Sequence, residues 1–157
     1  MRPEIASLFH RVVSHGLFVK ERLRDTAHED LAFLAEQHAA LHGLLIMAHP
    51  AQSYPDYAGE PVAPAADLMR AAAEPYPPEQ FLGIRYALAC WLDETLIGLR
   101  PWVRDWWEVR KLETKLYPPL NVRERRFWQQ AALAEERPHI DALEAYYLCV
   151  MLGFRGM

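Results

Sequence analysis

The chain has 157 residues, one domain's worth on the usual prior, and its 52% apolar content is enough for a packed core. Seventeen Lys and Arg against 21 Asp and Glu leave a net charge of −4, so there is no basic balance to suggest nucleic acid. The start, Met-Arg-Pro-Glu-Ile, carries charge with no apolar stretch behind it, so no signal peptide is expected here. The longest nearly uncharged apolar run, Ala145 to Phe154, falls short of the roughly 20 residues a membrane span needs.

The first helix is expected from Pro3 to Leu23, with Leu8, Val12, Val13, Leu17 and Phe18 on its apolar side and Gly16 interrupting it at a propensity cost. Thr26-Ala-His-Glu29 fits a capping box for a second helix that runs to Ala48. Its stripe is Leu31, Leu34, Ala35, His38, Leu41, His42 and Leu45, and His49-Pro50 ends it. Pro50, Pro55, Pro61 and Pro64 mark a loop with a Ser-Tyr-Pro-Asp turn, and Ala65 to Ala73 reads as a short helix.

Pro78 suits the first position of a central helix reaching Leu99. Phe81, Ile84, Leu88, Trp91, Leu92, Thr95, Leu96 and Leu99 share one stripe, while Tyr86, Cys90 and Ile97 lie opposite. A helix apolar on both sides is enclosed by neighbours. Asp93 falls on the second side, where a carboxylate needs donors or a cation. An arginine partner for Asp93 and a neighbouring helix for Glu94 are the expected solutions.

Pro101 opens a helix to Tyr117 with Trp102, Trp106, Val109 and Leu112 or Glu113 at helical spacing, and Pro118-Pro119 ends it. Asn121, with Glu124 at N3, is expected to cap the next helix, whose body holds Phe127, Trp128, Ala131 and Ala132. Arg123-Glu-Arg-Arg126 reads as a solvated charged turn. The last helix is expected from Pro138 to Leu152, with Leu143, Tyr146, Tyr147, Val150 and Met151 on its core side and Gly153 at C′. No alternating strand pattern and no repeat appears. The fold class is therefore all-α, with roughly six to seven helices. The proline-rich middle divides it into two sub-bundles, about residues 1–75 and 76–157, within a single domain. Cys90 and Cys149 lie in apolar helical segments and read as buried reduced thiols.

Chemistry is sparse. His38 and His42 share one helical face, as a metal site could use, but the pair lacks the glutamate of His-Glu-x-x-His and no third ligand is marked. Glu136-x-x-His139 stands alone, where a di-iron bundle wants two such motifs. Asp93 and Glu94 point about 100° apart on a helix, which does not suit an acid/base pair. No catalytic, cofactor or metal residues are assigned. The five tryptophans suggest large packing areas, with one or two at an edge as interface anchors.

Two stretches carry a resemblance. Tyr86-Ala-Leu-Ala-Cys-Trp-Leu-Asp-Glu94 resembles the Tyr-Ala-Leu…Asp-Glu signature of the DotU/TssL (IcmH/ImpK) family. Leu143-Glu-Ala-Tyr-Tyr-Leu-Cys-Val-Met-Leu-Gly-Phe-Arg-Gly156 resembles its Leu-Glu-x-Tyr-Tyr-Leu-Cys-Leu-x-Leu-Gly-Phe-x-Gly signature, and Trp107-x-x-x-x-Leu112 falls where the family has a Trp-x-x-x-x-Leu. Order and spacing agree over residues 80 to 156. The chain departs from the pattern at Arg123-Glu-Arg-Arg-Phe-Trp128, where the family has Gly-Gly-Glu-x-Phe-Phe, and at Val103, where it has glycine.

The resemblance implies a non-enzymatic structural component of a type VI secretion system, at the cytoplasmic face of the bacterial inner membrane. It implies a hook-like, all-helical cytoplasmic domain, often dimeric, that pairs with the IcmF/TssM-like membrane protein and contacts baseplate components. It implies no cofactor and no nucleic acid. Family members continue into one transmembrane helix, whereas this sequence stops at Met157. A soluble part of an anchored protein and a member without its own anchor both fit. Structural or partner-interface candidates are Tyr86, Asp93, Glu94, Trp107, Leu112, Glu144, Tyr147, Gly153 and Phe154. Two other readings stand beside this one. One is a soluble helical enzyme, metal-dependent through His38 and His42. The other is a ligand-binding regulator with an aromatic pocket.

Overall fold

The computed structural model describes residues 1–47, 54–60 and 75–157. Among them every regular element is helical. In chain order these are α1 (Pro3–Asp25), α2 (Leu31–Ile46), α3 (Pro55–Ala58), α4 (Gly83–Ile97), α5 (Pro101–Glu108), α6 (Leu112–Leu116), α7 (Arg123–Glu135) and α8 (Asp141–Met151). The expected helix over Ala65 to Ala73 and the His49-Pro50 stop lie outside the described residues.

The fold is built around α4, on which every other described helix packs. It is buried on all sides: Ile84, Tyr86 to Asp93 and Leu96 are all enclosed. That is the two-sided apolar helix of the sequence reading, but it begins later. Pro78 does not open it. Residues 78–80 form a turn, with Gln80 N–H on the Pro77 carbonyl at 3.0 Å, and α4 starts only at Gly83. Gly83 has φ of 84°, and a Cβ there would sit 2.3 Å from the Tyr57 carbonyl oxygen. The backbone after α3 runs directly against the start of α4, with Glu60 N–H donating to the Phe81 carbonyl at 2.8 Å. Only glycine accommodates that approach.

Gly16 plays a similar part in α1. It sits where α1 packs tightly on α4, because an added Cβ would lie 2.7 Å from Leu92 Cδ2 and 2.9 Å from Trp91 Cζ3. The residue that lowers helix propensity is the one that lets two helices touch. Leu8, Val12, Val13 and Val19 are buried around it, whereas Phe18 is 47% exposed and Leu17 is also exposed, against expectation.

Several boundaries differ from the sequence reading. Thr26 does not cap α2. Its hydroxyl donates to the Arg22 carbonyl at the end of α1, and Asp30 caps α2 by accepting from Phe33 N–H at 3.0 Å. The expected helix from Pro101 to Tyr117 is two helices with an elbow at Val109-Arg110-Lys111. In α5 the buried residues are Val103 and Trp107, one position off the expected Trp102 and Trp106, and Val109 is 77% exposed, whereas Leu112 and Glu113 are buried as the stripe has them. Asn121 does not cap α7, which begins after Val122 without a side-chain cap; its amide oxygen instead accepts from Lys111 Nζ at 2.8 Å. Within α7 the inward residues are Phe127, Gln130 and Ala134, while Trp128 is largely exposed.

The Arg123-to-Arg126 stretch is not a solvated turn. Arg126 is buried and donates to the Tyr76 and Pro77 carbonyls at 2.8 and 2.6 Å, and Gln130 bridges Leu82 N–H and the Gln80 carbonyl. These α7 side chains hold the chain entering α4. In α8 the core side is Ala142, Ala145, Tyr146 and Cys149; Tyr147 and Met151 are exposed, and Leu143 and Val150 are only partly buried. A helix apolar all round gives periodicity no polar face by which to set its phase. Cys90 and Cys149 are buried free thiols.

Candidate functional site

Asp93 and Glu94 occupy consecutive positions near the C-terminal half of α4 and face different structures. Asp93 is fully buried. Its Oδ1 accepts from the Trp107 indole N–H at 2.7 Å and from Leu112 N–H at 2.8 Å; its Oδ2 accepts from Glu113 N–H at 2.9 Å. The expected arginine is replaced by an indole and two backbone donors. Those two N–H groups belong to the first turn of α6, where helical N–H groups have no intrahelical acceptor. Asp93 therefore caps α6 from another helix and pins the α5–α6 elbow to α4. Burial pushes its carboxyl up to about 6, opposed chiefly by the Glu113 N–H, the Trp107 indole and the Leu112 N–H.

Beside it lies a second buried acid. Glu113 accepts from the Tyr86 hydroxyl and, at 3.3 Å, from Val122 N–H. Burial raises its pKa and raises that of Tyr86. Tyr86 also stacks edge-on with Tyr117 at 5.2 Å. Tyr86, Asp93, Trp107 and Leu112 are thus brought into one cluster around α6. Glu113 appears in the sequence only as an alternative stripe position, and nothing in its spacing marks it as buried.

Glu94 turns the other way, to the end of the chain rather than to a neighbouring helix. Its Oε1 accepts from Arg155 N–H at 2.6 Å, and its Oε2 accepts from Gly156 and Met157 N–H at 2.9 and 3.0 Å. One carboxylate so clasps three successive backbone donors. The Gly153-Phe154-Arg155-Gly156 motif explains how the chain reaches it. Gly153, φ 109°, is the C′ residue of α8, with its N–H on the Val150 carbonyl and Phe154 N–H on the Cys149 carbonyl, both at 3.0 Å. These two bonds are the Schellman pattern. Phe154 is buried and stacks on Phe127 at 3.9 Å between centroids. Gly156, φ 78°, passes under Trp128, whose Nε1 would lie 2.8 Å from any Cβ. Arg123, from α7, donates to the Met157 carbonyl at 3.1 Å.

The remaining candidates sit apart. Glu144 accepts from the Met1 amine at 2.8 Å on the rim of α8, beside a larger ionic cluster in which Arg2 pairs with Asp141 and with Asp56, and Arg137 with Asp56 and Glu60. No sequence pattern marks this cluster, because its members are scattered singly along the chain. Tyr147 is exposed and belongs to neither clasp. Tyr146, its neighbour, is the buried member of the pair and donates to the Gly83 carbonyl at 2.9 Å.

His38 is buried against Trp106 and Trp107, with ring centroids at 5.4 and 4.8 Å, and its Nε2 pairs with the Arg110 carbonyl at 2.7 Å. Desolvation lowers its pKa. The ring is a neutral donor that holds the elbow carbonyl. Among the described residues no group of three His, Cys, Asp or Glu side chains stands together as a metal site.

In a comparison with protein families, the model for the type VI secretion system protein DotU matches residues 66–157, more than half of the chain. No curated protein and no solved structure matches significantly.

Proposed function

The chain belongs to the DotU family of type VI secretion system proteins, and from that premise we propose that it is a non-enzymatic structural component of the secretion membrane complex. In this reading its helical domain lies at the cytoplasmic face of the inner membrane and links the IcmF/TssM-like membrane protein to baseplate components, with a second copy of the chain as a further partner. The single observation that carries the reading is where the signature residues spend their hydrogen bonds. Asp93 and Glu94 are both consumed by backbone and indole donors of their own chain. They are fasteners rather than reactive groups.

The two fasteners also suit a protein that transmits force. Asp93 locks the elbow to the central helix, and Glu94 locks the segment after α8 to the same helix. A pull on the residues following Gly153 is delivered to α4 through the three hydrogen bonds of Glu94 and to α7 through the Phe154–Phe127 stack. No described helix is long and apolar enough to cross a membrane.

The test is affinity capture of the natural gene product from solubilised membranes of its own cells. The IcmF-like protein should co-purify, and Glu94→Ala should weaken that recovery under stringent washing more than an exposed substitution such as Glu36→Ala. Absence of the IcmF-like protein from captures of a folded product would overturn the reading.

A further inference from the structure

The elbow that Asp93 fixes forms one wall of a groove of about 590 Å³, closed on the other side by α2. Pockets that hold drug-sized ligands run at about 300–1,000 Å³, so the groove has room for a short run of side chains. Its lining includes Arg110, Lys111 and Lys115 against one acid, Glu108. The chain as a whole carries −4, so this concentration of cations runs against the overall charge. Lys111 holds Glu108 at 2.9 Å and the Asn121 amide oxygen at 2.8 Å. Lys115 is exposed and has no ion-pair partner among the described residues. The Arg110 guanidinium lies 4.3 Å over the Trp106 ring. Beside them Val109 presents a bare isopropyl group to solvent, as the most exposed β-branched core-type residue of the elbow.

We propose that this groove binds an acidic protein segment, whose carboxylates meet Lys111, Lys115 and Arg110 and whose apolar side chain covers Val109 and Trp106. Arginine and tryptophan in a prebuilt pocket are the residue types on which binding energy concentrates. The wall is prebuilt because two fasteners hold it: the Asp93 carboxylate, which accepts from the Trp107 indole and from Leu112 and Glu113 N–H, and His38 on the Arg110 carbonyl. Little order has to be created on binding, which lowers its entropic cost. Charge complementarity sets the occupant. Nucleic acid would meet a chain of net negative charge, and the apolar lip gives a bare phosphate nothing to cover.

The experiment is a titration of isotope-labelled protein, followed by amide and indole NMR shifts, with a peptide in which glutamates flank a leucine. A matched peptide with glutamine for every glutamate is the control. The acidic peptide should move the Trp106 indole and the amides of Val109, Arg110, Lys111 and Lys115, and the glutamine peptide should not. Lys115→Glu, at an exposed site whose melt should be unchanged, should weaken binding by about tenfold, as should raised salt. No shifts at the groove, equal shifts with the glutamine peptide, or full affinity in Lys115→Glu would each overturn the proposal. The inference is independent of the secretion assignment: a failed titration leaves family membership untouched, and a failed co-purification leaves the groove's affinity for carboxylates untouched.

Discussion

Replacing Asp93 with alanine removes the acceptor of three buried donors at once. The Trp107 indole, Leu112 N–H and Glu113 N–H are left with no partner in the cluster. A buried orphaned donor costs about 1–3 kcal/mol, so three give about 6 kcal/mol. Part of this is offset. Burial raises the Asp93 carboxyl from 3.8 to about 6, so at neutral pH its charged form carries a penalty of about 3 kcal/mol that the substitution relieves. The net loss is about 3 kcal/mol, or roughly 6–12 °C in melting temperature for a chain of this size. Glu94→Ala also strips three donors, but Arg155 and Met157 are exposed and Gly156 partly so. Water replaces the carboxylate there, and the loss is about 1 kcal/mol or less. Urea unfolding of the two variants beside the natural chain measures both numbers. A loss for Asp93→Ala no larger than for Glu94→Ala would refute the account of Asp93 as the cap of α6.

Trp107→Phe removes one of the same donors, so in the Asp93→Ala background it should cost less than in the natural chain; additive losses would show that the indole and carboxylate do not act together. The raised Asp93 pKa fixes a sign. Between about pH 4 and 6 the folded state holds a proton that the unfolded chain has lost, so this group's contribution falls as pH rises through that window. The stability gap between the natural chain and Asp93→Asn should therefore narrow from pH 4 to pH 7, and a widening gap would mean that the three donors win over desolvation. Gly16→Ala improves helix propensity by about 1 kcal/mol but drives a methyl into Leu92 and Trp91. It should destabilise by about 1–3 kcal/mol in the same unfolding assay, and a more stable variant would contradict the close crossing of α1 and α4.

The sequence carried the identity of the central helix because an apolar run on both sides has few other solutions, and it placed Asp93 on the buried side for the same reason. It could not name the partner. The donors come from Trp107, Leu112 and Glu113, and only the turn at the elbow, invisible to helical spacing, brings them round. The capping of α2 was misread because Thr26 and Asp30 both make acceptable caps locally, and α1 runs on far enough to claim Thr26. Gly153 was legible as a C′ glycine, but the purpose of Gly156 was not: its constraint is the Trp128 ring passing over it. Arg123 and Arg126 looked solvated because charge runs usually are. Their burial depends on carbonyls of the segment before α4 and at the chain's end, which no local pattern announces. The phase of α8 was lost for want of a polar face, and Tyr147, expected inside, stands exposed while Tyr146 fills the core.

Capture of the natural gene product from its own membranes, with mass-spectrometric identification of what accompanies it, tests the central claim most directly. The account predicts the IcmF-like membrane protein in amounts comparable to the captured chain, and less of it when Glu94 no longer holds the residues after Phe154. A folded product recovered repeatedly without that partner, and unaffected by Glu94→Ala, would contradict it.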